Sequence, residues 1–95
     1  MKKPAIIHYC WFGGGEFSES IKQCIASWYK YFPDYKFICW NENNFDVDNN
    51  LFIAQALACK QYAFASDVVR VQKLYEMGGT YFDTDLEVFS GMREL

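Results

Sequence analysis

The feature that most constrains this 95-residue chain is a pair of short apolar runs, residues 5–12 and 35–40, separated by one amphipathic stretch. Each run has the length of a strand and almost no polar content, the pattern of a strand buried on both faces. The first closes on Gly13-Gly14-Gly15. Between the runs, Ser18 stands where a helix cap belongs. Behind it Ile21, Cys24, Ile25, Trp28, Tyr31 and Phe32 recur at three-to-four spacing and form one apolar helical face. Pro33-Asp34 ends that helix. Strand, crossover helix and strand imply parallel pairing with a right-handed connection. The expected class is α/β, a mostly parallel sheet with helices on its faces and residues 5–12 as its central strand.

Residues 51–77 are mostly good helix formers and read as two helices broken near 61–63. The second is expected to turn Phe64, Val68, Val71, Leu74 and Tyr75 inward, and Gly78-Gly79 supplies its left-handed stop. A strand over 80–83 follows, then a short extended piece over 86–89. The chain makes one domain at most, since at this size only roughly 60 to 65 per cent of the unfolded surface is buried. A content of 52% hydrophobic and 20% aromatic residues excludes a disordered chain.

The formal net charge of -3, with no run of Lys or Arg, argues against nucleic acid and anionic lipid as partners. A phosphate-bearing ligand would need a cation. Cys10, Cys24, Cys39 and Cys59 contain no C-x-x-C pair and read as reduced core residues, not as a zinc site. No stretch approaches the ~20 apolar residues that span a bilayer, and the amino-terminal run lacks a cleavage signal. The expected location is cytoplasmic, with peripheral contact at the inner membrane left open.

The sharpest chemical feature is Asp83-Thr84-Asp85, two carboxylates placed where an apolar strand runs out. Ligands of open α/β sheets bind beyond the carboxyl ends of the strands. Side chains two apart on an extended segment share a face, and such oxygen ligands suit Mg²⁺ or Mn²⁺ bridging a diphosphate. A D-x-D pair alone says little, and a second one, Asp46-Val47-Asp48, lies in an expected loop. Position at a strand end separates the first from the second. Asp67 and Arg70, three apart on the last helix, are either a solvated ion pair or an acid and a guanidinium that grip a polyhydroxylated ligand. Trp11, beside the glycines, is either ordinary core or an indole that stacks on a nucleobase. The glycines themselves do not fit G-x-G-x-x-G. His8, inside the strand, reads as a satisfied core residue.

Three segments together carry a resemblance: residues 6–14 (IIHYCWFGG), 62–70 (YAFASDVVR) and 74–85 (LYEMGGTYFDTD). The chain resembles the DXD-containing glycosyltransferases of bacterial capsular polysaccharide synthesis, with fungal initiating mannosyltransferases and, more remotely, the glucosylating toxins of clostridia as relatives. The resemblance implies a GT-A fold, whose Rossmann-like half domain holds a nucleotide sugar, and retention of configuration at the transferred carbon. It also implies roles: Trp11 on the base, Asp67 and Arg70 on sugar hydroxyls, Asp83 on ribose or sugar and the metal shell, and Asp85 on the metal. Asp83 and Asp85 would be the catalytic pair, the cofactor Mn²⁺ or Mg²⁺, the donor a UDP- or GDP-sugar, and the acceptor a glycan or lipid-linked saccharide.

Members of that family are usually longer, so residues 1–95 are expected to be the amino-terminal, nucleotide-sugar-binding part of such a domain. Its last strand would then expose an open edge, which predicts self-association. Two other readings compete. One is a remnant that keeps the fold and binds nucleotide sugar or a protein without turnover. The other is a haloacid-dehalogenase phosphatase, which also places D-x-D after a strand; its motif lies near the amino terminus and continues with Thr or Val where this chain has Glu87.

Overall fold

The computed structural model describes residues 5–47 and 49–86. Its elements run β1 (Ile6–Cys10), α1 (Glu19–Tyr31), β2 (Lys36–Trp40), α2 (Leu51–Ala58), α3 (Tyr62–Met77) and β3 (Thr80–Tyr81). The three strands form one sheet in the order β2-β1-β3, with both pairings parallel. The first apolar run is therefore the central strand, as expected. β1 pairs with β2 over its full length, Ile6 opposite Lys36 through Cys10 opposite Trp40. Phe82 N donates to His8 O at 2.9 Å and carries the β1–β3 ladder one residue past β3.

Ser18 caps α1 as its position implied, its hydroxyl accepting from Ile21 N at 3.2 Å. The helix stops at Tyr31, two residues before Pro33. Alternation along β1 then divides the core between the two faces of the sheet. Ile7 and Tyr9 meet Trp28 and Phe32 of the α1 layer. Cys10 joins Trp40, Phe45, Ile53, Ala56, Ala65 and Val69 beneath α2 and α3. The result is an α/β sandwich of three layers, a Rossmann-like half domain.

The break between α2 and α3 falls at residues 59–61, where Lys60 takes φ 58 and Gln61 N bonds to Ala56 O. The face that α3 turns inward differs from the expected one. Phe64, Val71 and Tyr75 are exposed, Tyr75 at 91%, and Val68 and Leu74 are half-buried. The fully buried residues are Ala65 and Val69, and one turn on the Lys73 ammonium lies 4.5 Å from the centre of the Trp40 ring. Large apolar residues marked a face by periodicity, but close packing of a helix on a sheet selects small ones. Cys10 Sγ lies 4.0 Å from Ser66 O, an approach that bulkier residues at this contact would prevent. Cys59 likewise departs from expectation: it is exposed and free, while Cys10 and Cys24 are buried.

His8 is completely buried and fully satisfied. Its Nε2 donates to Gly78 O at 2.8 Å, and its Nδ1 accepts from Trp40 Nε1 at 3.0 Å. An indole N–H can only donate, so Nδ1 is the bare nitrogen and Nε2 carries the proton. The carbonyl of Gly78 is delivered by a turn only glycine can make. Gly78 and Gly79 have φ 71 and 95, and a Cβ on Gly79 would lie 2.6 Å from Ile6 O. Replacing His8 by Leu strands one buried donor and one buried acceptor, and the expected loss is about 3 kcal/mol of unfolding free energy. Urea titration followed by circular dichroism measures it; a loss no larger than that of a surface substitution would contradict the role given to this side chain.

Candidate functional site

The carboxyl ends of β1 and β3 lie side by side, and the chain leaves each by a different kind of turn. After β1, Trp11 N bonds to Trp40 O at 2.9 Å, so the backbone stays in register with β2 one residue further. The Trp11 indole then folds back, Nε1 donating to Gly15 O at 2.7 Å and the ring lying 4.8 Å from that of Phe17. Its only N–H is thereby used, and what it offers a ligand is ring surface. Gly13 and Gly14 take φ 98 and 72, and the Tyr62 ring lies so close to Gly13 that a Cβ there would stand 2.9 Å from Cζ.

After β3 the chain is anchored twice. Phe82 packs its ring between Trp28 and Phe32, with centroid distances of 5.4 and 5.6 Å. Four residues later Leu86 O accepts from Trp28 Nε1 at 2.7 Å. Between the anchors Leu86 N bonds to Asp83 O at 3.0 Å and closes a turn. Asp83 and Asp85 thus sit on a turn, whereas the sequence suggested an extended strand through 83. Both are exposed, and neither pairs with another described residue. Of the extended piece expected over 86–89, residues 87–89 lie outside the described residues.

Two clefts open here. One, of about 390 Å³, lies between Trp11, Gly13, Gly15 and Tyr62. The other, of about 360 Å³, is lined by Asp67, Tyr81, Asp83 and Asp85. They share Cys10, Ala63, Ser66 and Thr84 and so adjoin as one trough, aromatic at one end and acidic at the other. Trp11, Asp67, Asp83 and Asp85 are brought together by the fold. Arg70 does not line either cleft; its guanidinium lies over the Tyr81 ring, 5.8 Å from its centre. Asp67 and Arg70 do not pair, for the ion pairs among the described residues are Lys22–Glu19 and Lys73–Glu76. In the second D-x-D, Asp46 is tied to Asn49 Nδ2 at 2.6 Å, and Asp48 lies outside the described residues.

Cys10, Tyr62 and Thr84 line the trough without having been singled out in the sequence. Cys10 was the legible one: two residues after His8 on β1, it must face the same side of the sheet. Burial pushes its thiol up from 9.0 to about 11, against a smaller opposite effect from hydrogen bonding to Tyr81 and Ser66. The Tyr81 phenol is pushed up by burial first and by Cys10 next. Both groups are therefore neutral at physiological pH, and the charge of the trough belongs to its carboxylates.

Those carboxylates were tested as a metal site by their number and kind. No group of three or more His, Cys, Asp or Glu side chains is poised to hold a metal ion among the described residues. Two carboxylates suit instead an ion that keeps several waters and completes its shell with phosphate oxygens, the habit of Mg²⁺.

Residues 18–95 match the family described as the glycosyltransferase sugar-binding region containing a DXD motif. The chain belongs to this family. The match takes in Asp67, Arg70, Asp83 and Asp85 and begins beyond Trp11 and the glycines. Comparison with curated proteins and with solved structures finds no match. No helix among the described residues is long and apolar enough to cross a membrane.

The raised thiol has a consequence for stability. A buried group that holds its proton more tightly when folded contributes stability below its unfolded value and loses it as pH rises through the folded one. With 9.0 and about 11 for Cys10, unfolding free energy is expected to fall across that interval, and Cys10→Ala to flatten the fall. Chemical denaturation from pH 8 to 11 provides the test; an identical slope in the variant would assign the loss to other groups.

Proposed function

We propose that this glycosyltransferase-family chain binds a UDP- or GDP-sugar together with Mn²⁺ or Mg²⁺, and serves transfer of the sugar, with retention, to a glycan or lipid-linked saccharide. One observation carries the reading: an indole tied down by its N–H and two carboxylates with no ion-pair partner among the described residues occupy opposite ends of a single trough at the carboxyl ends of β1 and β3. Trp11 and Tyr62 offer ring surface to a base. Asp83 and Asp85 would hold the metal, and Asp67 faces the same end, where sugar hydroxyls would lie. Arg70, which lies over the Tyr81 ring and lines neither cleft, would have to leave that contact to hold the sugar.

No Lys or Arg among the described residues lines either cleft. An anionic diphosphate entering the acidic end therefore requires a cation, and a bound divalent ion supplies Lewis acid stabilisation of the leaving phosphate. Residues 1–95 correspond in this reading to the donor-binding part of the domain, and the link to capsular polysaccharide synthesis rests on the three sequence segments quoted above. A second reading, donor binding without turnover, draws on the absence of a third carboxylate or histidine ligand among the described residues.

Calorimetric titration with UDP and then GDP in the presence of Mn²⁺ tests the donor site. Binding is expected with metal and lost without it, and Asp85→Asn is expected to weaken it at least tenfold, about 1.4 kcal/mol. Equal affinity with and without metal would refute the proposed role of the carboxylates. Release of sugar from the nucleotide, followed by chromatography, separates turnover from binding alone.

We further propose that the outer edge of β3, which pairs with β1 alone among the described residues, is where two copies meet. Sedimentation equilibrium is expected to show association that grows with concentration, and a monomer throughout would exclude it.

A further inference from the structure

The glycine loop after β1 invites comparison with loops that cradle phosphate in successive backbone amides. Here the amide of Gly13 already has an anion: it donates to Glu42 Oε2 at 2.6 Å. Glu42 comes from the turn after β2 and does not line the cleft. Its backbone is braced. Asn44 Oδ1 accepts from Asn41 N at 2.8 Å, Asn41 Oδ1 accepts from Asn43 N at 2.8 Å, and Asn44 Nδ2 donates to Cys39 O at 2.8 Å. Phe45, buried in the core at the end of that turn, fixes it from below. A carboxylate on a held turn thus grips the first residue of a loop of three glycines.

We infer that Glu42 is a positioning residue, which holds the glycine loop, and through it the Trp11 indole, in the shape that leaves the aromatic cleft open, while its charge keeps phosphate away from that end. The link from Gly13 to Trp11 is short. Trp11 Nε1 is tied to Gly15 O, so a loop that moves at Gly13 takes the acceptor of the indole with it. On the far side the Tyr62 ring lies against Gly13, so the same loop also sets the gap between the two aromatic walls. A carboxylate accepting from a backbone amide forms a charge-assisted hydrogen bond, among the stronger ones available to an exposed side chain. The inference also orients the ligand, since a neutral base tolerates the neighbourhood of Glu42 and a diphosphate does not.

This rests on the proposed nucleotide site, but part of its test does not need a ligand. Trp28 and Trp40 are buried, whereas Trp11 is partly exposed, so acrylamide quenching of tryptophan fluorescence in the unliganded protein reports chiefly on Trp11. Trp11→Phe confirms the assignment by removing the quenchable fraction. Glu42→Ala is expected to raise quenching toward that of a free indole, and Glu42→Gln, which keeps an acceptor oxygen, to restore most of the protection. Glu42 is exposed, so both variants should fold, and thermal melting verifies this.

In the presence of Mn²⁺, affinity for UDP or GDP is expected to fall about tenfold in Glu42→Ala and within about twofold in Glu42→Gln. Unchanged quenching in Glu42→Ala would overturn the inference, as would equal loss of protection in the two variants. Altered quenching in a protein that binds neither nucleotide would keep the tether and sink the nucleotide reading instead.

Discussion

The structure depends on one buried imidazole. His8 stands in the middle of the central strand, donates to the carbonyl that ends α3 and accepts from the indole that ends β2. A three-stranded parallel sheet is a weak object, because its connections are long and much of its core must come from the helices that cover it. In this chain the two neighbours of β1 are clamped to it by the same side chain. The clamp acts where β3 begins, and β3 is only two residues long. Its register against β1 is set by the Gly78-Gly79 turn, whose close approach to Ile6 leaves no room for a side chain.

From that register the position of the carboxylates follows. If Tyr81 lies opposite His8, Phe82 must point into the α1 layer and the next residues must pass the sheet's edge. The aromatic cluster of Trp28, Phe32 and Phe82 receives the chain there, and the Trp28 indole binds it again at Leu86. Two anchors four residues apart force a turn, and a turn with two aspartates between fixed ends presents both to the same cleft. The same aromatic wealth that makes the chain foldable therefore also builds the acidic end of the trough.

Much of this was legible in the sequence, and the reasons differ from element to element. Strands buried on both faces announce themselves because they tolerate almost no polar residue, and Ser18 announces α1 because only a few side chains satisfy free backbone amides. The inner face of α3 was not legible in the same way. Phe64, Val71 and Tyr75 recur with helical spacing, yet the helix approaches the sheet through Ala65 and Val69, and periodicity counts bulk where this contact needs its lack. Asp83 and Asp85 were singled out by place in the chain. That they lie on a turn was hidden, because the Trp28 to Leu86 bond that makes the turn spans 58 residues of sequence. Glu42 could not have been found at all without structure, since nothing in an asparagine-rich loop marks which residue reaches across to Gly13.

Charge gives the trough its direction. Its neighbourhood holds Glu42 near the aromatic end and Asp67, Asp83 and Asp85 at the other, while Arg70 lies over the Tyr81 ring and lines neither cleft. Buried Cys10 and half-buried Tyr81, between them, stay protonated and add no charge of their own. In the proposed reading the two aspartates after β3, which have no ion-pair partner among the described residues, recruit the cation that lets an anion approach this acidic surface. In that reading an anionic ligand that arrives with its metal docks with metal and phosphate toward the aspartates and its uncharged ring toward the indole. In the same reading acidity, which at first argues against a phosphate-bearing ligand, is the property that orients it.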